Sequence, residues 1–162
     1  MDRPEDSLFE ASGELDASKE IIIENLSKRD ERIFIFHLLY AMDSFDYQAS
    51  LESIVDNFCR EFNLSVARDG SVIEQVRSIV DNRLALDDQI KPLLDNWRFD
   101  RLGVCTRLII RQAIWELRNT DIDSAIIINE AIELSKCFAE DDAYKFINGL
   151  LDEWVKKNKT AE

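Results

Sequence analysis

The chain has 162 residues, which suits one domain whose core needs neither a metal nor a disulfide. Its formal net charge of −13 argues against nucleic-acid binding driven by charge alone, because such binding relies on phosphate neutralisation by Lys and Arg. Only four Gly and two Pro accompany 46% hydrophobic and 33% charged residues, which favours an all-helical fold.

Neither a membrane span nor a secretion signal is predicted. The chain lacks an uncharged apolar run of about twenty residues, and its first residues are acidic rather than basic. Cys59, Cys105 and Cys137 lie far apart without CxxC spacing, so we predict buried free thiols in a reducing compartment rather than disulfides or zinc ligands. These features indicate a soluble, cytoplasmic protein.

Residues 1–27 form a predicted acidic extension that is disordered. Few apolar residues interrupt its charges, and a segment that cannot bury apolar surface does not fold. The acidic residues before residue 20 are Asp2, Glu5, Asp6, Glu10, Glu14 and Asp16, against Arg3 and Lys19. The stretch 19–26 is compatible with either a short extra helix or an extended arm.

The first predicted helix covers residues 28–42. From Ile33 onward it is apolar nearly all round, which is typical of a central helix buried on several sides. His37 lies in this run without a Cys or His at useful spacing. We therefore predict a packing or hydrogen-bonding role for His37 rather than catalysis.

Three amphipathic stretches follow, each with apolar residues at helical spacing. They cover residues 47–62, 72–84 and 86–94. The break at Arg68–Ser71, with Gly70, is predicted to separate two groups of helices. Asp87 is a plausible amino-terminal cap of the third stretch, and Pro92 either kinks that helix or lies in its first turn.

The last third of the chain predicts a core helix followed by a helical hairpin. A long apolar stripe runs from Leu102 to Leu117, and Asp123 can cap the helix that follows it. Residues 121–154 then give two amphipathic helices joined by an acidic turn. Asp141 or Asp142 can cap the second of them.

This hairpin resembles the carboxyl-terminal signature of the NusB transcription antitermination family, whose pattern runs INEAxELAKxFxxxxxxKFVNGxLD. The matching stretches are INEAIELSK at 128–136 and KFINGLLD at 145–152. Weaker matches begin near residue 28. The resemblance implies an all-α bundle of about seven helices in two packed subdomains over residues 28–157, with a polar tail at 158–162.

The resemblance also implies a function. In the NusB family the protein pairs with NusE, a small-subunit ribosomal protein, and the pair binds single-stranded boxA RNA in the nascent transcript. This chain is accordingly expected to be an RNA-binding antitermination factor that supports rRNA transcription. It would reach the RNA polymerase antitermination complex indirectly and need no membrane.

Carried onto this sequence, the resemblance implies two groups of RNA contacts and one residue at the RNA or partner surface. The contacts are Lys28, Arg29 and Arg32 in an arginine-rich motif, Asn129, Lys145 and Phe146 in the hairpin, and Asp142 at the surface. Each has a plainer interpretation. Asp30 and Glu31 interrupt the basic motif, which could be a solvated turn; Phe146 also fits the apolar stripe, and Asp142 fits a helix cap.

Catalytic chemistry is not predicted. The Gly residues are isolated, which excludes a glycine-rich phosphate loop, and Glu130 and Glu133 lack the His partners of a di-iron bundle. We therefore expect a non-enzyme without a cofactor or metal. The alternative function is a protein-interaction module that keeps the NusB-type fold with weak or lost RNA binding, and the acidic charge favours it.

Overall fold

The computed structural model describes residues 19–95 and 98–159, apart from the side chain of Lys159. Within these residues there are seven α-helices and one pair of two-residue strands, which confirms the predicted all-α class. The helices are α1 (Lys28–Ser44), α2 (Leu51–Phe62), α3 (Ser71–Asp81), α4 (Arg83–Ile90), α5 (Val104–Asn119), α6 (Ser124–Phe138) and α7 (Ala143–Lys159). The strands are β1 (Ile21–Ile22) and β2 (Leu64–Ser65).

The chain divides into two compact units, Met1–Ser78 and Ile79–Glu162. The division lies inside α3, whereas the sequence predicted it near Gly70. Gly70 is the residue directly before α3. The predicted break therefore marks the start of a helix, and the boundary between the units comes about two turns later.

In the first unit, α1 supplies more buried apolar side chains than any other element. Its side chains from Ile33 to Phe36 are all buried, as the sequence predicted. The helix begins at Lys28 because the hydroxyl of Ser27 accepts a hydrogen bond from the amide of Asp30 at 3.1 Å.

The second helix starts later than the predicted residue 47. Asp46 and Tyr47 have φ angles of 51° and 59°, a left-handed conformation that a right-handed helix cannot include. Ser50 then caps α2 by accepting from the amide of Ser53 at 3.1 Å.

Residues ahead of α1 pack onto this unit. β1 pairs in parallel with β2, and the amide of Ile21 donates to the carbonyl of Asn63 at 3.0 Å. A single 3-10 turn at Ile23–Asn25 follows, in which Ile23 is fully buried. We call residues 21–25 the strap. The arm left undecided at 19–26 is thus a short strand and turn; residues 1–18 of the predicted extension lie outside the described residues.

In the second unit, α6 packs against both α5 and α7. Most residues of the apolar stripes predicted for the hairpin are buried, namely Ile127, Ala131 and Leu134 on α6 and Ile147, Leu150, Leu151 and Trp154 on α7. The remaining predicted members, Phe138, Ala143 and Phe146, are half-buried. The indole of Trp154 donates to Gln89 at 3.1 Å. Asp123 caps α6 as predicted, accepting from the amide of Ala125 at 2.9 Å.

The predicted role of Asp87 as a cap is wrong. Asp87 lies inside α4, which begins at Arg83, and its buried carboxylate accepts two hydrogen bonds from Arg111 on α5, at 2.6 and 2.7 Å. A buried carboxylate needs such a partner, because desolvation of an unpaired charge is costly. Pro92 lies in a 3-10 turn that follows α4, so it does not kink that helix.

The three cysteines form no disulfide, as predicted, but the prediction that all of them are buried is wrong. Cys59 and Cys105 are half-buried, and Cys137 is exposed near the end of α6. Of the predicted tail, Asn158 and Lys159 belong to α7, while residues 160–162 lie outside the described part of the chain, as do Asn96 and Trp97.

Within the described ranges, no helix combines the length and the apolar character needed to cross a membrane.

Candidate functional site

The start of α1 presents one strongly exposed cation. The side chain of Lys28 is 76% exposed, and its Nζ lies 3.5 Å from a carboxylate oxygen of Glu31. Because solvent screens the exposed ammonium, its attraction to Glu31 is weak, and a phosphate or another carboxylate can compete with Glu31 for it. Lys28 is therefore available to an anionic ligand.

The other two predicted cations of this motif differ from Lys28. Arg29 is half-buried, whereas Arg32 is only 7% exposed. Asp30, between them, is also buried. The basic motif therefore offers a ligand one fully accessible charge and one partly accessible charge, with Arg32 held inside the fold.

A second group of predicted residues lies at the start of α7. The side chain of Lys145 is 68% exposed, and its Nζ lies 3.6 Å from Oδ1 of Asp142. Asp142 directly precedes α7 with a φ of 66°, and its carbonyl accepts from the amide of Lys145 at 3.1 Å. This turn places an exposed ammonium and an exposed carboxylate side by side.

Phe146 and Asn129 complete the predicted hairpin residues. Phe146 is half-buried beside the fully buried Ile147, and Asn129 is exposed on α6. Partial burial lets one face or edge of an aromatic ring pack while the remainder meets a ligand. The two interpretations of Phe146, packing and base stacking, are thus compatible.

Tyr144 is a feature that the sequence interpretation missed. The ammonium groups of Lys136 and Lys145 lie 5.1 and 5.8 Å from its ring centroid, within the range of cation–π attraction. Its position directly before Lys145 and Phe146 was the available signal. The ring borders a cavity of about 440 Å³ that Glu140 also lines, between the end of α6 and the start of α7.

Glu140 is held in place by neighbours at the start of α5. Its carboxylate accepts from the hydroxyl of Thr106 at 3.0 Å and lies directly against Gly103, where a Cβ would collide with it. Burial, and then the negative charge of Glu140, raise the pKa of the Cys105 thiol. Cys105 is therefore disfavoured as a thiolate nucleophile.

A cluster of metal-binding side chains does not appear among the residues that the structure describes. They contain no group of three or more His, Cys, Asp or Glu side chains arranged to hold a metal ion. His37 is half-buried, its ring centroid lies 5.8 Å from that of Phe36, and burial lowers its pKa. This environment fits the predicted packing role.

The chain is similar to known proteins along most of its length. The NusB family model matches residues 29–156. The transcription antitermination protein NusB of Staphylococcus epidermidis is 32% identical over 126 residues, 78% of this chain and 96% of that protein. For Macrococcus caseolyticus NusB the values are 33% over 131 residues, with 81% and 98% coverage. Staphylococcus aureus NusB is 32% identical over 133 residues, with 82% and 100% coverage.

Solved structures give the same relationship. The structure of T. maritima NusB superposes with a TM-score of 0.71 at 30% identity, covering 85% of this chain and 99% of that one. A chain in the structure titled "Crystal Structure of a Plectonemic RNA Supercoil" superposes with a TM-score of 0.72 at 24% identity, which shows the fold alone. On the family match, the sequence identities and the shared fold, this chain belongs to the NusB family.

Proposed function

We propose that this chain is a transcription antitermination factor that pairs with the ribosomal protein NusE and binds boxA-type RNA in the nascent transcript, supporting rRNA transcription. The observation that carries the proposal is the family match over residues 29–156, together with relatives named as antitermination proteins that align over 96–100% of their own length. The role is binding rather than catalysis. The protein would act in the cytoplasm and contact RNA polymerase only indirectly, through the antitermination complex.

Single-stranded RNA is held by cations along its backbone and by aromatic faces under its bases. In this proposal Lys28, Arg29 and Lys145 contact phosphates, and Phe146 stacks with a base. Asn129 adds hydrogen bonds to RNA from the exposed side of α6. The exposure of Lys28 and Lys145 and the partial exposure of Phe146 support these assignments.

Arg32 and Asp142 are assigned indirect roles, in contrast to the direct RNA contacts above. Because Arg32 is 7% exposed, we assign it an indirect part in RNA binding, in which it holds the start of α1 in place for Lys28 and Arg29. Asp142 lies 3.6 Å from Lys145 and orients that ammonium at the RNA or partner surface. Replacing either residue should therefore alter RNA affinity through a neighbour.

The net charge of −13 makes a partner important. Repulsion between this chain and RNA lowers affinity, whereas an acidic surface attracts a basic partner. NusE would supply cations that this chain lacks. We therefore expect weak RNA binding by the chain alone, stronger binding with NusE, and a steep dependence on salt.

A gel-shift titration with boxA-like RNA, with and without NusE, tests the proposal. The double variant Lys28→Ala/Arg29→Ala should bind about tenfold more weakly at low salt, since it loses two phosphate contacts. The matched control is Lys156→Ala/Lys157→Ala, which removes two exposed cations at the other end of α7. It should bind nearly as the wild type does.

The outcomes test the RNA-binding function and the assignment of its contact residues separately. If wild-type protein shifts no RNA in any lane, the RNA-binding function is wrong. If the Lys28/Arg29 variant and the control bind equally well, the function stands and the assignment of these two residues fails. A separate Arg32→Ala variant, checked for stability, tests the indirect role of that side chain.

The second candidate is a protein-interaction module with the NusB fold and no useful RNA affinity. The specific observation in its favour is the acidic charge, including Asp30 and Glu31 within the basic motif. This candidate predicts that the chain binds NusE with the same affinity whether or not boxA-like RNA is present. Isothermal titration of NusE in both conditions distinguishes it from the first.

A further inference from the structure

Gly149 lies inside α7, where glycine is an unfavourable residue. Glycine loses more backbone entropy on folding than any other residue, so it destabilises the interior of a helix relative to alanine. Because α7 begins at Ala143 and continues to Lys159, Gly149 belongs to neither end of the helix and caps nothing. The presence of a glycine at this position therefore needs a reason that outweighs the lost stability.

Neither of the usual structural reasons for a glycine applies to Gly149. Its φ angle is not positive, so its backbone conformation does not require glycine. Apart from the backbone of α7 and the two adjoining residues, no described atom lies within 4 Å of the place that a Cβ would occupy. At Gly103, by contrast, a Cβ would collide with the carboxylate of Glu140. The open space at Gly149 thus points to a molecule that approaches α7 from outside.

The exposed surface beside Gly149 carries two of the candidate RNA contacts. Lys145 and Phe146 precede Gly149 by four and three positions, so the three residues are neighbours on one face of α7. A helical side chain leans toward the amino terminus, over the preceding turn. A side chain at position 149 would therefore extend over the surface that Lys145 and Phe146 share, and Gly149 leaves that surface uncovered.

We propose that Gly149 provides clearance for RNA, so that a strand can lie against α7 and bring a base to the ring of Phe146. Glycine permits a closer approach of a ligand to the backbone than any other residue does. The exposed ammonium of Lys145 can hold the phosphate next to that base. This clearance role rests on the proposed RNA-binding function, and it adds to that function a residue that contributes space rather than a charge or a hydrogen bond.

The composition of this face favours RNA over a protein as the approaching molecule. Lys145, Asn148 and Gly149 are exposed and Phe146 is half-buried, whereas none of the large hydrophobic residues that the described chain exposes lies on α7. The centre of a protein–protein interface is typically apolar and poor in charged residues. A cation and an amide beside a partly open aromatic ring suit single-stranded RNA instead.

A series of substitutions at Gly149 separates the effect of bulk from that of helix stability. Gly149→Ala and Gly149→Leu introduce strong helix formers, whereas Gly149→Ser and Gly149→Val introduce weaker ones. Within each pair the helix propensities are close and the sizes differ. The open space allows all four variants to fold, and Gly149→Ala should raise the thermal midpoint by roughly 1–4 °C.

The affinity for boxA-like RNA, measured by fluorescence anisotropy with and without NusE, should fall as the new side chain grows. Gly149→Leu should bind at least about tenfold more weakly than the wild type, because it obstructs the approach of a stacked base. Gly149→Ala should lose less affinity, although it is more stable than the wild type. The matched control is Ala125→Leu, which adds bulk at an exposed residue of α6 and should bind as the wild type does.

The effect of bulk at position 149 should also depend on Phe146. In a protein that already carries Phe146→Leu, the further change Gly149→Leu should weaken RNA binding by a smaller factor than it does in the wild type, because the stacked base is already lost. Equal factors in the two proteins would overturn the proposed clearance beside Phe146.

Equal RNA affinity of the wild type and Gly149→Leu would overturn the clearance role and leave the RNA-binding function intact. An equal loss in Ala125→Leu, or affinities that follow the stability of the variants rather than their size, would also overturn it. Weaker NusE binding by Gly149→Leu without RNA, measured by isothermal titration, would assign the open surface to the protein partner instead. If the wild type binds no RNA with or without NusE, the proposed function fails and the clearance role fails with it.

Discussion

The two units each contain a cation paired with a carboxylate, and the two cations differ sharply in exposure. In the second unit, Arg111 and Asp87 are 7% and 6% exposed, and Arg111 Nε lies 2.6 Å from Asp87 Oδ1. In the first unit, Lys28 and Glu31 are 76% and 16% exposed and 3.5 Å apart. The buried pair joins α4 to α5, whereas the exposed pair leaves its cation open to a ligand. Burial, not charge, separates the structural cation from the candidate binding cation.

The largest expected effect comes from breaking the buried pair. Arg111→Ala should lower the free energy of unfolding by about 3–5 kcal/mol, because it leaves the Asp87 carboxylate buried and unpaired. Urea denaturation measures this loss. The double variant Arg111→Met/Asp87→Leu should recover much of the stability, since neither charge remains. A loss below about 1 kcal/mol in the single variant would contradict the structural role of the pair.

Phe146 is half-buried, so its exposure lies between that of Arg111 and that of Lys28. Phe146→Leu should keep most of the packing, at a cost below about 1.5 kcal/mol, while removing a stacking face worth roughly 1–3 kcal/mol of RNA binding. Fluorescence anisotropy with labelled boxA-like RNA measures the affinity. Phe62→Leu is the control, because Phe62 is an exposed aromatic outside the candidate residues. Equal RNA affinity of the two variants would assign Phe146 to packing alone.

Breaking the exposed pair should scarcely change stability. Lys28→Ala is expected to alter the free energy of unfolding by about 0–1 kcal/mol, and by less at high salt, because solvent screens the pair. Urea denaturation at two salt concentrations checks this expectation. A salt-independent loss of stability comparable to that of Arg111→Ala would show that Lys28 supports the fold. Exposure would then no longer distinguish the structural cation from the binding cation.

The smallest expected effect is the pH response of His37. Burial lowers its pKa from the usual 6.5, so the unfolded chain takes up its proton at a higher pH than the folded chain does. Stability should therefore be unaffected by this group above pH 6.5 and decline as the pH falls below that value. In His37→Gln this part of the decline should be absent. Identical slopes of the free energy of unfolding against pH, between pH 7 and 5.5, for the wild type and His37→Gln would contradict this expectation.

Periodic features of the sequence predicted the helices well. The apolar stripes of α6 and α7 and the cap at Asp123 depend on neighbours within a few positions along the chain, so they can be identified without the fold. The start of α2 was placed too early. The left-handed conformations of Asp46 and Tyr47 interrupt a pattern that side-chain periodicity alone would continue.

Features that depend on distant residues could not be predicted. Asp is a residue type that commonly caps helices, so the sequence around Asp87 suggests a cap. Its actual role depends on Arg111, which follows much later in the chain and pairs with it inside the fold. The exposure of Cys137 and the burial of Arg32 likewise depend on packing between elements. The family resemblance therefore supplied the candidate residues, whereas the exposure of their charges depends on the fold.

The strap has a consequence for the order in which the protein opens. Its ladder consists of two residue pairs, so it can detach without unfolding α1 or α2. Elements with few hydrogen bonds open locally at a lower free energy than the whole domain does. The amide of Ile21 should then exchange with solvent faster than the amides in the middle of α1.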